Sequence, residues 1–331
     1  MIRAPAVPNL IRFAIVGCGA IGRRHGDALL AMPDVSITRA MDTDADKAAA
    51  AAEAWTTTGT TEIDEALLTD DVDAVVIATP HDSHTDLAVR AAKARKHLFL
   101  EKPVALRYTD ALRVQAAIDQ ARVIGAVDFS FRAAPAVTAA QAQVPSPRIV
   151  RLVAVSASLA GSWRGEAVHG GVIADIGGHV FDLACFLVGS APQVVYAMGG
   201  RVSRRAGLPD TLAATIGFAN GAFAQVIVGE FGPAAHTSKW WGVLSDGTRT
   251  ATLFERLTTL EIREPGRSPR RVVPMADART NHARTLAAFV GAIRDEGRPI
   301  ASIADGVRAV RLADAAYESM GIGRTVDVRG D

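Results

Sequence analysis

Three clusters of residues in this chain have side chains, or lack them, at spacings that suit chemistry. The first is Gly17-Cys18-Gly19-Ala20-Ile21-Gly22, a GxGxxG run between an apolar segment at 11–16 and a segment of helical periodicity. In a strand–turn–helix unit the first glycine permits the tight turn. The second lets the backbone approach a pyrophosphate, and the third lets helix and strand pack closely. The N–H groups that open the helix, around Ala20 and Ile21, carry a partial positive charge and face the phosphates. Asp42 closes the next apolar run, 20 residues after Gly22. A carboxylate there accepts hydrogen bonds from both ribose hydroxyls and repels a 2′-phosphate. The expected cofactor is therefore NAD, with NADP disfavoured. A glycine turn that merely packs and the glycine loop of a Rossmann methyltransferase are competing readings of the motif by itself.

The second cluster is split. Thr79-Pro80-His81-Asp82-Ser83-His84 follows the apolar run 74–78, and Glu101-Lys102-Pro103 follows the run 97–100. Both sit at the carboxyl ends of expected strands, on the rim where ligands bind in such sheets. An ammonium at Lys102 would polarise a reacting hydroxyl or carbonyl; an ordinary surface lysine is the plain alternative. Pro103 fixes the chain direction and leaves a cis Lys102-Pro103 bond open. The third cluster is Asp175-Ile176-Gly177-Gly178-His179. Asp175 and His179 are i and i+4 and share one helix face, with Asp182 near it. A histidine suits proton exchange with an alcohol, and a neighbouring carboxylate can orient the ring or the substrate. A polar helix face that caps a sheet or lies in an interface would have the same spacing. His169, before Gly170-Gly171, is a further candidate substrate contact, and so is Trp163-Arg164, which offers a stacking face and a cation. A core tryptophan beside a surface arginine is the alternative for that pair. No metal is expected, because hydride transfer to a nicotinamide needs only a proton acceptor for the hydroxyl. His25, His97, His236 and His282 have no partner at an interpretable spacing.

The elements that must position these clusters are legible as periodicity. Strands are expected at 11–16, 35–41, 74–78, 97–100 and 123–127, with helices at 20–32, 44–55, 83–94 and 109–121. That alternation is the pattern of a doubly wound parallel sheet, an α/β Rossmann domain over residues 1–132. From 133 to 331 the pattern changes. A linker is expected at 141–147, then strands at 149–158, 194–202, 211–218, 222–230, 240–244 and 257–262. Helices are expected at 175–187, 279–294 and 304–320. Asn220-Gly221 between two apolar runs signals a hairpin. The second domain is expected to be α+β, with a large, mostly antiparallel open sheet.

Composition limits what such a protein does. The 331 residues carry a formal net charge of +1, which gives no electrostatic reason to expect nucleic acid or an acidic membrane surface as partner. The first ten residues lack the apolar core of a signal peptide, and the apolar runs are strand-length, so no membrane partner is expected. The two cysteines, Cys18 and Cys185, form no CxxC pair and suggest neither a disulfide framework nor a zinc site; a cytoplasmic location fits.

Taken together the clusters resemble one family, the Gfo/Idh/MocA oxidoreductases. The resemblance runs from the strand before Gly17 through Thr79-Pro80-x-x-x-His84, Glu101-Lys102-Pro103 and Phe131-Arg132-x-x-Pro135. It continues through Ser162-Trp163-Arg164 and Gly170-Gly171-x-x-x-Asp175-x-Gly177-x-His179-x-x-Asp182. His81 departs from it, because the family often has asparagine there. The resemblance implies that Lys102 binds the reacting hydroxyl and the cofactor, and that His179 is the proton acceptor in alcohol oxidation. Asp175 would hold substrate or tune His179, and Thr79, Pro80, His84 and Glu101 would line the nicotinamide and ribose. It further implies a homodimer or homotetramer formed through the second-domain sheet. The expected activity is NAD-dependent hydride transfer at a secondary alcohol or ketone of a sugar, inositol or similar polyol. Competing readings are glycosidase or transhydrogenase chemistry with retained NAD, and a non-catalytic NAD-binding regulator.

Overall fold

A computed structural model describes residues 10–155, 166–202, 208–230, 240–272 and 280–329. The chain forms two compact units. The first holds the chain up to Val104, Leu112–Asp128 and His282–Ile303, and the second holds Ala105–Ala111, Phe129–Asn281 and the chain from Ala304 onward.

In the first unit, β1 (Ile11–Val16) is followed by α1 (Ala20–Leu30), β2 (Val35–Met41), α2 (Ala45–Trp55), β3 (Thr58–Thr60) and α3 (Ile63–Leu67). Then come β4 (Ala74–Ile77), α4 (His84–Lys93), β5 (His97–Leu100), α5 (Tyr108–Ala121) and β6 (Gly125–Val127). The strands form one sheet in the order β3-β2-β1-β4-β5-β6, and every pairing is parallel. Parallel strands covered on both faces must be apolar throughout, and β4, Ala-Val-Val-Ile, is buried at all positions. The strand order reverses between β1 and β4, which opens the crevice where such sheets take ligands.

The second unit begins with α6 (Pro135–Gln143) and β7 (Ile149–Val155). A π-helical turn, Ile173–Gly177, leads into α7 (Gly178–Val188), followed by β8 (Pro192–Gly200), β9 (Thr211–Phe218), β10 (Phe223–Gly229), β11 (Trp240–Ser245) and β12 (Thr250–Phe254). β13 (Thr259–Arg263), β14 (Arg270–Val272), α8 (Asn281–Ile293), α9 (Ile303–Ile322) and β15 (Val326–Asp327) complete the chain. The nine strands run β14-β13-β12-β11-β7-β10-β9-β8-β15, antiparallel except where β10 pairs with β7. β9 and β10 form the expected hairpin over Asn220-Gly221, with Gly221 at φ +77. The run Ala167–Val188 is long and apolar enough to cross a membrane by composition, but 78% of its apolar window is buried inside the protein. It is a core helix of this unit, with Val180, Phe181, Leu183 and Leu187 in the hydrophobic cluster under the sheet.

The structure departs from the sequence expectations in several places. The linker expected at 141–147 begins inside α6: Pro135 opens that helix at a position where its missing N–H costs nothing, and Ala136, Val137 and Ala140 are buried. The strand expected from 257 starts at Thr259, because Glu255, Arg256 and Leu257 occupy a left-handed turn at φ +50, +62 and +64. The helix expected from Asp175 opens with the π turn instead of an α turn. β3, α3, β12 and β14 are short elements without a strong period.

Although α8 follows the second unit in sequence, residues 282–303 belong to the first. Phe289 on α8 packs edge-on to Phe13 of β1, with ring centroids 6.3 Å apart, and against Phe99 of β5 at 5.5 Å. It is fully buried, with Leu286 and Val290 beside it. Phe289→Ala should therefore cost about 3–5 kcal/mol. Hydrogen exchange should show the loss as faster exchange in β1 and β5; unchanged protection there would mean that α8 is not needed to close this core.

Candidate active site

The glycine turn has the geometry its sequence requires. Gly17 sits at φ +94, and a Cβ there would lie 2.6 Å from the carbonyl oxygen of Ala78 at the end of β4. A Cβ on Gly22 would stand 1.8 Å from the Gly17 carbonyl oxygen, so α1 can leave the strand this closely only with glycine at that position. Gly19 differs: a Cβ there would meet nothing within 4 Å. The protein leaves that side of the loop open, which gives a pyrophosphate room to approach the backbone. α1 has no acidic residue in its first turn, which leaves its partial positive charge unanswered. Asp42 stands at the end of β2 and ties this loop down. Its Oδ2 accepts the Cys18 N–H at 2.8 Å and its Oδ1 accepts the Asp44 N–H at 3.0 Å. Burial, reinforced by Asp42, pushes the Cys18 thiol up to about 12, so this cysteine is a packing residue and not a nucleophile.

β4 and β5 end beside β1 on the same sheet edge. Thr79 Oγ1 and Ser83 Oγ lie 2.7 Å apart, and Ser83 Oγ donates to the Pro80 carbonyl at 2.7 Å. Pro80 is exposed and His81 buried. His84 is fully buried, with Nδ1 2.6 Å from the Pro103 carbonyl oxygen and Nε2 3.0 Å from that of Thr79. Burial pushes its pKa below the usual value, opposed by the two carbonyls that its ring nitrogens face. The Lys102-Pro103 bond is cis, and Lys102 is half-buried.

Beneath Lys102 lies a network that the sequence does not reveal. His25, Glu101, Asp128 and His282 place one ligand-type atom each within 4.8 Å of one another. His25 Nε2 donates to Glu101 Oε1 at 2.8 Å and lies 3.7 Å from Asp128 Oδ2. His282 Nδ1 donates to Asp128 Oδ2, and Thr285 Oγ1 donates to Asp128 Oδ1 at 2.7 Å. Ligands of one tetrahedral cation stand about 3.3 Å apart when each bond is near 2.0 Å. The 2.8 Å pair is closer than that, as two groups sharing a proton are. Burial would raise the Glu101 pKa, but the His25 hydrogen bond and charge, with Lys102 and His282, hold it well below the usual carboxylate range. These four residues come from α1, the end of β5, the end of β6 and α8. No local spacing signals them, because the contacts join residues 76 and 154 apart.

The other candidate residues lie in the second unit. Asp175 sits in the π turn and His179 one turn later on α7, both half-buried. A π turn inserted in a helix redirects the side chains on either side of it and is frequent at functional sites. The His179 ring lies edge-on to Phe131 at 5.2 Å, and to Phe129 and Trp240 at 6.1 Å each. Asp182, i+3 from His179 on α7, is fully buried. Arg132 Nε donates to its Oδ2 at 2.8 Å, and the same guanidinium reaches Asp305 at 3.1 Å. Burial lifts the Asp182 pKa to about 6 against the pull of Arg132, which leaves the pair ionised at neutral pH. His169 closes a short turn, Ala167–His169, and is half-buried. Trp163 and Arg164 lie outside the described residues.

The family model described as "Oxidoreductase family, NAD-binding Rossmann fold" matches residues 11–129, and the GFO/IDH/MocA C-terminal domain model matches residues 137–248. The chain is 28% identical to the inositol 2-dehydrogenase of Rhizobium meliloti (strain 1021), over 96% of this chain and 99% of that one. It is 30% identical to the dTDP-3,4-didehydro-2,6-dideoxy-alpha-D-glucose 3-reductase of Streptomyces violaceoruber, over 93% of this chain and 95% of that one. Its fold matches that of a levoglucosan dehydrogenase solved with NADH and levoglucosan, with a TM-score of 0.87, 23% identity and coverage of 97% and 100%.

The His282–Asp128 contact makes a pH prediction. Burial lowers the His282 pKa and Arg24 opposes the charge, but the Asp128 hydrogen bond and the charges of Asp128 and Glu101 outweigh both and raise it. A histidine raised on folding stabilises fully below its unfolded value, about 6.5, and the contribution fades as pH rises through the folded value. His282→Gln keeps a neutral donor for Asp128 and removes the charge. Its stability deficit against wild type, read by urea unfolding, should be largest near about pH 6 and close towards about pH 9. A deficit that grows with pH would assign the wrong charge to this ring.

Proposed function

The chain belongs to the Gfo/Idh/MocA family of NAD-binding oxidoreductases, and from that premise we propose that it oxidises a secondary alcohol of a sugar, inositol or similar polyol, or reduces the matching ketone. The observation that carries this reading is a glycine loop with open space at Gly19 on the same sheet edge as Lys102. Gly17, Gly19 and Gly22 with the N–H groups around Ala20 and Ile21 would hold the pyrophosphate, and Asp42 the adenosine ribose. Thr79, Pro80 and Glu101 would border the nicotinamide side, with His84, expected there too, buried behind them. NAD, when bound, supplies the acceptor for the hydride of the alcohol carbon. Lys102 binds the reacting oxygen and stabilises the charge it develops. His179 takes the hydroxyl proton in oxidation and returns it in reduction. Asp175 orients His179 or the substrate, with His169, Trp163 and Arg164 as further substrate contacts.

Purified protein is to be assayed with NAD⁺ and NADP⁺ against inositols, aldoses, sugar phosphates and nucleotide sugars by nicotinamide absorbance. NAD⁺ should be the preferred acceptor. His179→Ala should lower turnover about 10²–10⁴-fold and Lys102→Ala about 10²–10³-fold. Full turnover in either variant on a proven substrate removes that residue from the mechanism.

The location fits the cytoplasm, because Cys18 and Cys185 are both free and buried. We also propose that the protein is a homodimer or homotetramer formed through its nine-stranded sheet. Met198, Ala213, Ile227, Val153 and Trp241 are neighbours across five strands by register. Met198 is 64% exposed and Ile227 37% exposed. An apolar row of this kind on an outer face marks an interaction surface. Ile227→Asp with Met198→Glu should give a monomer by light scattering with the fold intact; an unchanged mass would place the interface elsewhere.

A further inference from the structure

We infer that His25 and His84 are positioning residues for Lys102, two buried imidazoles that hold the chain just before Lys102, through Glu101, and just after it, at the Pro103 carbonyl. The inference rests on the proposed role of Lys102. The Lys102 N–H donates to Glu101 Oε2 at 3.3 Å, and the other oxygen of that carboxylate takes the His25 hydrogen bond at 2.8 Å. On the far side, the carbonyl of Pro103 receives His84 Nδ1 at 2.6 Å, while the same ring reaches Thr79 at the end of β4. The segment 101–103 is therefore held from α1 through Glu101 and from α4 through Pro103. Both rings have zero exposure, so neither can touch a substrate. His25 is boxed by Phe99 at 5.3 Å and His282 at 5.7 Å, which fixes its ring plane. Asp128 and His282 close the network behind it.

The reason this matters is geometric. Misplacement of a reacting group by about 1 Å can cost about 10²-fold in rate. Lysine has a long flexible stem, so the fixed part of its geometry is the peptide that carries it. A backbone N–H bound to a carboxylate that is itself free to turn would fix little. A carboxylate pinned at its second oxygen by a buried ring fixes much more.

The test compares His25→Gln, whose amide N–H reaches the Nε2 position, with His25→Asn, equally polar but too short to reach Glu101. In cofactor-free protein, His25→Asn should speed amide exchange across residues 100–105 by about tenfold or more, leave β7 to β10 unchanged, and be largely corrected by His25→Gln. With the polyol that reduces NAD⁺ in the panel, His25→Asn should lower kcat by about 10–100-fold and leave NADH affinity within about threefold. In the double variant with Lys102→Ala, His25→Asn should add no further loss, because it acts only through Lys102. Equal exchange at 100–105 in the Asn, Gln and wild-type proteins overturns the inference, as does a loss that adds in full to that of Lys102→Ala. Full activity in Lys102→Ala alone overturns the proposed role of Lys102 instead, and the exchange result then stands separately. His84→Asn, which keeps a donor at the Nδ1 position, and His84→Ala repeat the comparison from the other side.

Discussion

A carboxylate almost out of water at the end of a central strand constrains much of the first unit. Glu101 is 9% exposed, and a charge in that position is tolerated only with a hydrogen-bonding donor close by. His25 supplies it from the middle of α1, so the helix that begins at the glycine turn cannot slide along the sheet without breaking the pair. Asp128 brings a second buried carboxylate to the same place, and it is answered in turn by His282 and Thr285 from α8. Four elements are thereby locked around the residue that precedes Lys102. A patch of leucines would bury the same volume, but it would not fix which oxygen faces the Lys102 N–H.

The second unit repeats the arrangement with different residues. Arg132 and Asp182 form a buried two-point ion pair under α7, with Asp305 as a third member and the Phe186 ring stacked at 5.0 Å on the guanidinium. The pair anchors the same helix that presents His179 among Phe129, Phe131 and Trp240. A planar, permanently charged guanidinium suits this position, because its paired N–H groups set both the distance and the rotation of the helix that carries Asp182.

The sequence was informative wherever a physical demand was local. Gly22 is glycine because the Gly17 carbonyl leaves no room for a side chain, and that demand is written within six residues. β1 and β5 have the bounds their apolar runs suggest, since strands buried on both faces need nothing but bulk. What was not legible is long-range or subtle. His25 and His282 gave no signal because their partners lie far off in sequence. Asp182 carried a legible helical spacing, but its partner Arg132 lies 50 residues away in sequence and gave no signal. The π turn before α7 changes the hydrogen-bond step without changing composition, so periodicity reads straight through it. The end of α6 was read as linker because Pro145 and Pro147 stand close together, but the helix runs on to Gln143 before the first of them.

The return of α8 to the first unit has a consequence in time. His282 meets Asp128 across 154 residues of chain. At ~5–20 residues per second a ribosome needs roughly 8–30 s to make that stretch. Through this interval the β1–β5 floor, including Phe13 and Phe99, has been synthesised and can pair into a sheet, but the helix that roofs it does not yet exist. The nascent chain is thus committed to carrying an open apolar surface until α8 has been made. Its assembly is not vectorial: the half that comes out first waits for a helix that is made after most of the other half.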